Sequence, residues 1–175
     1  MMTVVYILLV LLLIVLVLGL IAPKDYQVER KIIVEKPKNE VYQYIKYLKN
    51  HDKWSPWATR DPDMKKEFKG TDGEVGFVSA WDGNKQVGSG EQEIIKMIEN
   101  DRLETALRFF KPWKSESDAY VQLQDAGDNK TEVAWGFTGS NNFPVNIMMM
   151  FMNMDKTVGK DFQEGLNNLK ANLEN

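Results

Sequence analysis

The sequence predicts an α+β fold, in which a curved antiparallel sheet of about seven strands wraps around a long C-terminal helix and follows one transmembrane helix. An uncharged apolar run opens the chain, short alternating segments separated by turn residues fill its middle, and one amphipathic segment closes it. Successive short strands with turn signals between them are typical of antiparallel sheets. A long helix with an apolar stripe needs such a sheet to cover it.

The apolar run Val4–Ala22 contains no charged residue and predicts a membrane anchor over residues 1–23. As a helix it is roughly 28 Å long, close to the thickness of a hydrocarbon core of roughly 30 Å. The alternative is a cleaved signal peptide, which begins with basic residues and ends at a site of small residues. No Lys or Arg precedes the run, Ile21 is bulky, and Pro23 follows directly. These features favour an uncleaved anchor ahead of a domain over residues 24–175.

Charge outside the anchor indicates its orientation and its partners. Basic residues follow the run and none precedes it, namely Lys24, Arg30, Lys31, Lys36 and Lys38. The positive-inside tendency therefore places the C-terminal domain of this single-pass protein in the cytoplasm. The absence of cysteine is compatible with either side of the membrane. The formal net charge of −3 argues against nucleic acid, which selects basic faces.

The domain is expected to open with a strand and a helix. Tyr26–Val34 alternates in part and is rich in β-forming residues, which predicts the strand. Pro37 suits the first turn of a helix because its missing N–H has no partner there. Apolar residues at helical spacing extend this helix to about Lys49. The segment Trp54–Trp57, with the sequence WSPW, then predicts a compact turn at one end of the core.

Six short strands are predicted next, because alternating segments are separated by Gly, Asn and Asp turn residues. In chain order these segments are Met64–Lys69, Val75–Trp81, Val87–Ile98, Arg102–Phe110, Ala119–Gln124 and Thr131–Phe137. They form a meander with the first strand. A curved meander folded around a terminal helix encloses a space between helix and sheet, and pockets favour such concave places.

The closing segment predicts one long helix from about Ile147 to Asn172. Its apolar residues recur at steps of three and four, which puts them on one stripe: Phe151, Met154, Val158, Phe162, Leu166, Leu169 and Leu173. Gly159 and Gly165 each cost about 1 kcal/mol relative to Ala inside a helix. They are expected either to allow close approach of another backbone or to leave room for a molecule between helix and sheet.

Residues that could perform catalysis or hold a metal are few. His51 is the only histidine and there is no cysteine, so zinc, copper and iron–sulfur sites lack their usual ligands. No serine stands in a nucleophile elbow, and no phosphate-cradling loop is present. Acid–base chemistry remains open, but Glu91, Glu93, Glu104 and Arg108 are expected to point outward from their strands and His51 to lie at the surface. The sequence therefore assigns no catalytic residue, metal or cofactor.

Aromatic and methionine side chains give the clearer functional signal. Five methionines crowd the segment Met148–Met154, and methionine adapts its shape to varied apolar ligands. Core packing is the alternative explanation for these apolar residues. The residues expected to line a ligand pocket are Trp54, Trp57, Phe77, Trp81, Phe109, Trp135, Phe137, Met152 and Phe162.

Four segments resemble one known superfamily: the opening VERKIIVEKPKNEVYQYI, the WSPW turn, the strand start QVGSGEQEI and the ending DKTVGKDFQEGLNNLKANLE. They are similar to the START-related (SRPBCC) superfamily that includes the major birch pollen allergen. Within it, the chain most resembles the bacterial polyketide cyclase/dehydrase-like branch, which includes members with an N-terminal membrane span. The resemblance covers roughly Tyr26 to Glu174. It implies a helix-grip fold with an internal apolar cavity, but no single activity.

The predicted function is that of a membrane-anchored domain that binds an apolar small molecule or lipid between the sheet and the C-terminal helix. One alternative is a cyclase- or dehydratase-like enzyme that acts in the same cavity. Another is a protein-binding module similar to the chaperone activators, which the missing catalytic set and the methionine cluster favour. An enzyme needs a titratable group that borders the cavity, whereas a ligand carrier does not need one. A protein-binding module can have an interior that is completely filled by side chains.

Overall fold

The computed structural model describes residues 2–150 and 153–175. Within them the chain forms α1 (Met2–Ile21), β1 (Asp25–Val34), α2 (Lys38–Ile45), α3 (Leu48–His51), α4 (Pro56–Thr59), β2 (Lys65–Lys69), β3 (Val78–Asp82), β4 (Ser89–Ile98), β5 (Arg102–Lys111), β6 (Ser115–Asp125), β7 (Thr131–Ser140), α5 (Val145–Met150) and α6 (Met154–Glu174). The predicted class is confirmed: the fold is α+β, with an antiparallel sheet of seven strands and a long C-terminal helix.

The strands form one sheet in the order β1-β7-β6-β5-β4-β3-β2. Strands β2 to β7 follow one another as antiparallel neighbours, and β1 completes the row beside β7. The end of the sheet at which β1 begins and β7 finishes is called the anchor end, because α1 directly precedes β1. The β3–β4 and β5–β6 turns lie at the anchor end, whereas the β2–β3, β4–β5 and β6–β7 turns lie at the opposite, far end.

The packed core occupies the far half of the concave face. Its fully buried side chains come from β1, α2, β6, β7 and α6, and they are Val34, Val41, Ile45, Leu123, Val133, Leu166 and Leu169. A second cluster of Leu48, Phe77, Ile94 and Leu103 extends the core towards β4 and β5. Interiors of this kind are close-packed and leave few voids. The anchor half of the concave face is therefore where space remains.

Helix α6 begins later than the sequence pattern predicts. Asn153 is its N-cap residue, and the Asn153 side chain accepts a hydrogen bond from the backbone N–H of Lys156 at 2.8 Å. Such a bond satisfies one of the first amide groups of a helix. The residues Val145–Met150 form the separate helix α5, so the predicted start near Ile147 is wrong. Phe151, which the predicted stripe included, lies outside the described residues.

Both glycines of α6 allow a close approach, in each case of a side chain rather than of a backbone. A Cβ atom on Gly165 would lie 2.5 Å from Cζ3 of Trp135. A Cβ atom on Gly159 would collide with the guanidinium of Arg30, which pairs with Asp155 at 2.7 Å. The two glycines thus bring α6 close to β7 and β1.

Helix α1 is long and apolar enough to cross a membrane. The large side chains of Val4–Val17 are 42% to 61% exposed. At its end, the Nδ2 atom of the buried Asn146 donates to the carbonyl oxygens of Gly19 at 2.9 Å and of Ala22 at 3.4 Å. Phe143 lies directly against Gly19. Because the last carbonyls of a helix have no partner within it, these contacts tie the end of α1 to the domain.

Replacing Leu166 by Ala is expected to lower the free energy of unfolding by about 2–5 kcal/mol, since truncation of a buried leucine removes contacts and leaves a void. Leu166 has no exposed surface. Lys160→Ala, on the exposed side of α6, should change the free energy by less than about 0.5 kcal/mol. Urea unfolding of the full chain in mild detergent measures both. Equal unfolding midpoints for the two variants would contradict the packing of α6 on the sheet.

Candidate ligand-binding cavity

A cavity of about 430 Å³ lies between the concave face of the sheet and the first turns of α6, in the half that the core leaves open. The α3–α4 region borders one side, and residues of the β3–β4 and β5–β6 turns border the anchor end. Six of the nine residues predicted to line a pocket lie on its wall: Trp57, Trp81, Phe109, Trp135, Phe137 and Phe162.

The inward positions of β6 explain why this space exists. From the anchor end they read Ser115, Ser117, Ala119, Val121 and Leu123. The three small residues border the cavity, whereas the two larger ones belong to the core. Alternate residues of a strand share a face, so the change from small to large marks where packing begins. The pattern is visible in the sequence, but its meaning depends on the register of the strands.

Two groups of aromatic rings form the walls. Trp135 and Phe162 stack with ring centroids 4.4 Å apart, and Trp57 meets them edge-on at 5.7 Å and 5.8 Å. On the same face of the sheet, towards β3, Trp81 meets Phe109 edge-on with ring centroids 5.8 Å apart. Offset and edge-on arrangements of this kind are the favoured contacts of aromatic rings. They hold flat apolar surfaces in fixed positions around the cavity.

Two residues predicted to line the pocket lie in the packed core instead. Trp54 is 1% exposed and is enclosed by His51 and Trp135, with ring centroids 4.8 Å and 4.6 Å away. Phe77 is equally buried, precedes β3 at the far end and belongs to the second core cluster. Met152, which was also predicted to line the pocket, lies outside the described residues.

A few polar groups border the cavity. The sequence pattern does not single them out, because the strand register determines which polar side chains face inward. The Tyr26 hydroxyl lies 3.2 Å from the Ser117 hydroxyl. Gln92 donates its side-chain amide to a buried threonine hydroxyl 2.9 Å away. Lys66 and Asp52 border the cavity as an ion pair. A mostly apolar wall with a small number of hydrogen-bonding groups is typical of small-molecule sites.

His51 is buried, contrary to the surface position expected from its charged neighbours. It is 7% exposed, and its Nε2 atom donates to the carbonyl oxygen of Ile45 at 2.8 Å. In the neutral ring this leaves Nδ1 as an acceptor. Burial lowers the pKa of the His51 imidazole below its ordinary value, because the charged form loses hydration. His51 therefore borders the cavity as a neutral imidazole at neutral pH.

The charged residues of the middle strands lie on the outer face of the sheet, as strand alternation predicts. Arg108 donates to Glu91 at 3.0 Å and to Glu93 at 2.8 Å. These two carboxylates raise the pKa of the Arg108 guanidinium. Glu104 accepts from Arg102 at 2.8 Å on the same face. This face contributes no titratable group to the cavity.

Lowering the pH from about 7 to about 5 is expected to destabilise the folded chain through His51. The unfolded imidazole takes up a proton near its ordinary pKa of 6.5, whereas burial delays protonation of the folded state to lower pH. The unfolded state therefore binds more protons in this window, and stability falls as the pH falls. The chain has one histidine, so His51→Gln should remove this dependence. Urea unfolding at a series of pH values measures it.

Carboxylates provide an internal control for this measurement. Ion pairs lower the pKa of the Glu35 and Asp155 carboxyl groups below their ordinary values of 4.5 and 3.8. The stabilisation by these ion pairs is therefore lost at more acidic pH than the stabilisation that involves His51. This loss is the same in the wild type and in His51→Gln. The same slope between pH 5 and 7 in wild type and His51→Gln would mean that the imidazole is hydrated in the folded state.

No family model matches the chain, and no curated protein sequence does so. Solved structures do match it. Ara h 8.0201 aligns with a TM-score of 0.56 and 11% identity over 85% of this chain and 97% of that chain. The di-domain ARO/CYC protein StfQ from the steffimycin biosynthetic pathway aligns with a TM-score of 0.62 and 11% identity, over 86% of this chain and 52% of that chain.

The Aha1 protein from Colwellia psychrerythraea, solved as a dimer, aligns with a TM-score of 0.53 and 21% identity over 85% of this chain and 96% of that chain. At such identities the likeness shows the fold alone, and function must be argued from the site. These structural neighbours include proteins of the SRPBCC superfamily. The chain therefore has the helix-grip fold that its sequence resemblance implied.

Proposed function

We propose that the protein is a membrane-anchored domain that binds an apolar small molecule or lipid in the cavity between the sheet and α6. The observation that supports this most directly is the cavity of about 430 Å³, whose wall is mainly aromatic and aliphatic. Ligand sites in proteins are mostly apolar concavities of about 300–1,000 Å³. A domain that needed only a stable core would fill this space, because unfilled volume forfeits packing energy.

The wall favours a flat or branched hydrocarbon with few polar groups. Aromatic faces suit rings and isoprenoid chains. Tyr26 and Ser117 can bond a hydroxyl or carbonyl group of the ligand. The Lys66–Asp52 pair leaves no unbalanced charge on its side of the cavity. A neutral ligand fits best, or an amphiphile whose charged group stays outside the cavity at the anchor end.

The membrane part of the proposal is that α1 is a retained single-pass anchor over residues 1–23 and that residues 24–175 form a cytoplasmic domain. An apolar helix with so much exposed surface requires an apolar surrounding. Ala22, where a signal peptide would end, is 4% exposed, and its carbonyl accepts from Asn146. This integration of the helix end into the domain supports retention. The basic flank after the helix supports the orientation.

An acid–base enzyme in the same cavity is the second candidate, and His51 is the observation that favours it. A neutral imidazole at a cavity wall is a possible general base, and one structural neighbour is described as an ARO/CYC protein. A protein-binding module, the class suggested by the Aha1 neighbour, ranks third. Its interior could be filled, whereas this interior contains a cavity.

Ligand binding should be weakened when a larger side chain on the sheet reduces the volume of the cavity. Fatty acids, isoprenoids and polycyclic aromatic compounds are added to the full chain in lipid nanodiscs, and the melting temperature and tryptophan fluorescence are recorded. A ligand at 100 times its dissociation constant stabilises the folded state by about 2.7 kcal/mol. Ala119→Met, on the cavity wall, should reduce this shift. Ala126→Met, in the exposed β6–β7 turn, should retain it.

The outcomes of this screen separate the candidate functions. No shift with any class of compound, or equal shifts in both methionine variants, would contradict binding in the cavity and favour the protein-binding module. A change in the mass of the bound compound that His51→Gln prevents would favour the enzyme. Binding without conversion supports the carrier.

Membrane anchoring should be visible in cells. The full chain should remain in the membrane fraction after alkaline carbonate washing, because a spanning helix is held by its apolar length. Protease added outside intact cells should leave the domain uncleaved. A mature protein that begins near Pro23 would contradict retention of the anchor. Digestion of the domain from outside would contradict its cytoplasmic orientation.

A further inference from the structure

The turns at the two ends of the sheet differ in charge. At the anchor end, the turn residues 83–88 and 112–114 and the segment 141–144 contain Lys85 and Lys114 and no acidic residue. At the far end, the turns contain five acidic residues and one lysine, namely Asp72, Glu74, Glu99, Asp101, Asp128 and Lys130. Lys111, at the end of β5, pairs with Asp82 at 3.2 Å and so adds no net charge. At the anchor end, however, the two lysines stand beside Asp25 at the start of β1 and Asp61, which accepts from the backbone N–H of Asn84 at 2.6 Å. Only the far-end turns therefore carry a marked net charge.

The anchor end also exposes large apolar side chains. Trp113 in the β5–β6 turn is 80% exposed, the highest value for an aromatic residue in the described parts of the chain. Phe110 at the end of β5, Phe143 before α5 and Met148 within α5 are 47%, 52% and 63% exposed. These four residues are called the rim. Tryptophan beside lysine is the combination enriched where proteins meet the membrane surface.

The connection to α1 holds this end of the domain near the end of the helix. From Ile21 to Asp25 the chain advances four residues, which span at most about 14 Å. Asn146 and Phe143 contact the last turn of α1 directly. If α1 crosses a bilayer, the rim lies at the surface from which α1 emerges. The acidic far end then points away from the membrane.

We propose that the rim sits on the bilayer that α1 crosses, so that the cavity opens onto the membrane surface and receives molecules dissolved in the lipid. This inference rests on the proposed anchoring and ligand binding. Lys111 and Pro112, between the rim residues Phe110 and Trp113, border the cavity, so the same hairpin tip forms the mouth and the membrane contact. Lys114, next to Trp113, can pair with a headgroup phosphate. The bilayer is the partner, and membrane-soluble hydrocarbons are the ligand class.

The absence of cysteine in the chain allows a direct test, because one introduced cysteine can be labelled at a single site. Trp113→Cys and Phe143→Cys place a nitroxide on the rim, and each variant keeps the other rim residues. Ala126→Cys places it in the far-end turn as the matched control. The labelled full chains are reconstituted in vesicles of phosphatidylcholine and phosphatidylglycerol. Paramagnetic resonance then measures collisions with oxygen, which concentrates in the bilayer, and with a water-soluble nickel chelate.

The expected result is that both rim labels lose access to the nickel chelate and retain access to oxygen, while the Ala126 label shows the reverse. Equal access to the chelate at the three sites would overturn the inference. Rim labels shielded from both reagents would also overturn it, because a protein surface, such as a second copy of the chain, would then cover the rim. Flotation with the vesicles and the ligand screen are scored separately. Failure of anchoring or of ligand binding is therefore distinguishable from failure of the rim contact.

Discussion

The packing of α6 across the concave face of the sheet is the constraint on which the rest of the structure depends. Leu166 and Leu169 are completely buried in the far half. Gly165 lets the Trp135 ring approach the helix, and Trp135 in turn stacks on Phe162. This stack is the last layer of close packing before the cavity. One helix on a strongly curved sheet fills the space beneath it only where the facing strands supply large side chains.

The same alternation that builds the core keeps the charges of Glu91, Glu93, Glu104 and Arg108 out of the cavity. Ionised groups of the middle strands, such as Arg108 and its carboxylate partners, lie on the outer face, where hydration and pairing stabilise them. An unpaired charge on the inner face would lose hydration without compensation. His51 avoids this cost because its imidazole is neutral, and Lys66 and Asp52 avoid it because they form an ion pair. The charged groups at the cavity wall are therefore paired, and the imidazole is neutral.

The sequence predicts the fold well because strand alternation and turn residues are local signals. The predictions are wrong where tertiary contacts determine the end of a helix or the burial of a side chain. The start of α6 depends on the Asn153 side chain, which caps the helix and separates it from α5 although the apolar spacing runs on. His51 stands among charged residues, yet the Ile45 carbonyl and the Trp54 ring bury it. Both contacts depend on how short helices fold back on the core, and residue spacing does not encode that.

The candidate site shows the same limit at finer scale. Aromatic residues on inward strand positions can be selected from the sequence, but their depth along the sheet cannot. Phe77 and Phe109 both lie in segments predicted as strands, yet Phe77 lies at the packed far end and Phe109 at the cavity. The decisive quantity is the size of the residues that face them on neighbouring strands. The size of these residues can be compared only when the register is known, as with Ser117 and Ala119, which border the cavity.

The junction between α1 and the domain combines a short connection with direct side-chain contacts. Only Ala22, Pro23 and Lys24 separate α1 from β1, and proline restricts the backbone there. Asn146 satisfies carbonyls at the end of α1, although its own Oδ1 atom has no partner among the described residues. Leaving a buried acceptor unpaired costs about 1–3 kcal/mol. In the folded state, the two hydrogen bonds donated by Asn146 and the contact of Phe143 with Gly19 offset this cost. The hydrogen bonds from Asn146 and the contact of Phe143 with Gly19 therefore join the end of α1 to the segment after β7, at the same end of the sheet as the start of β1.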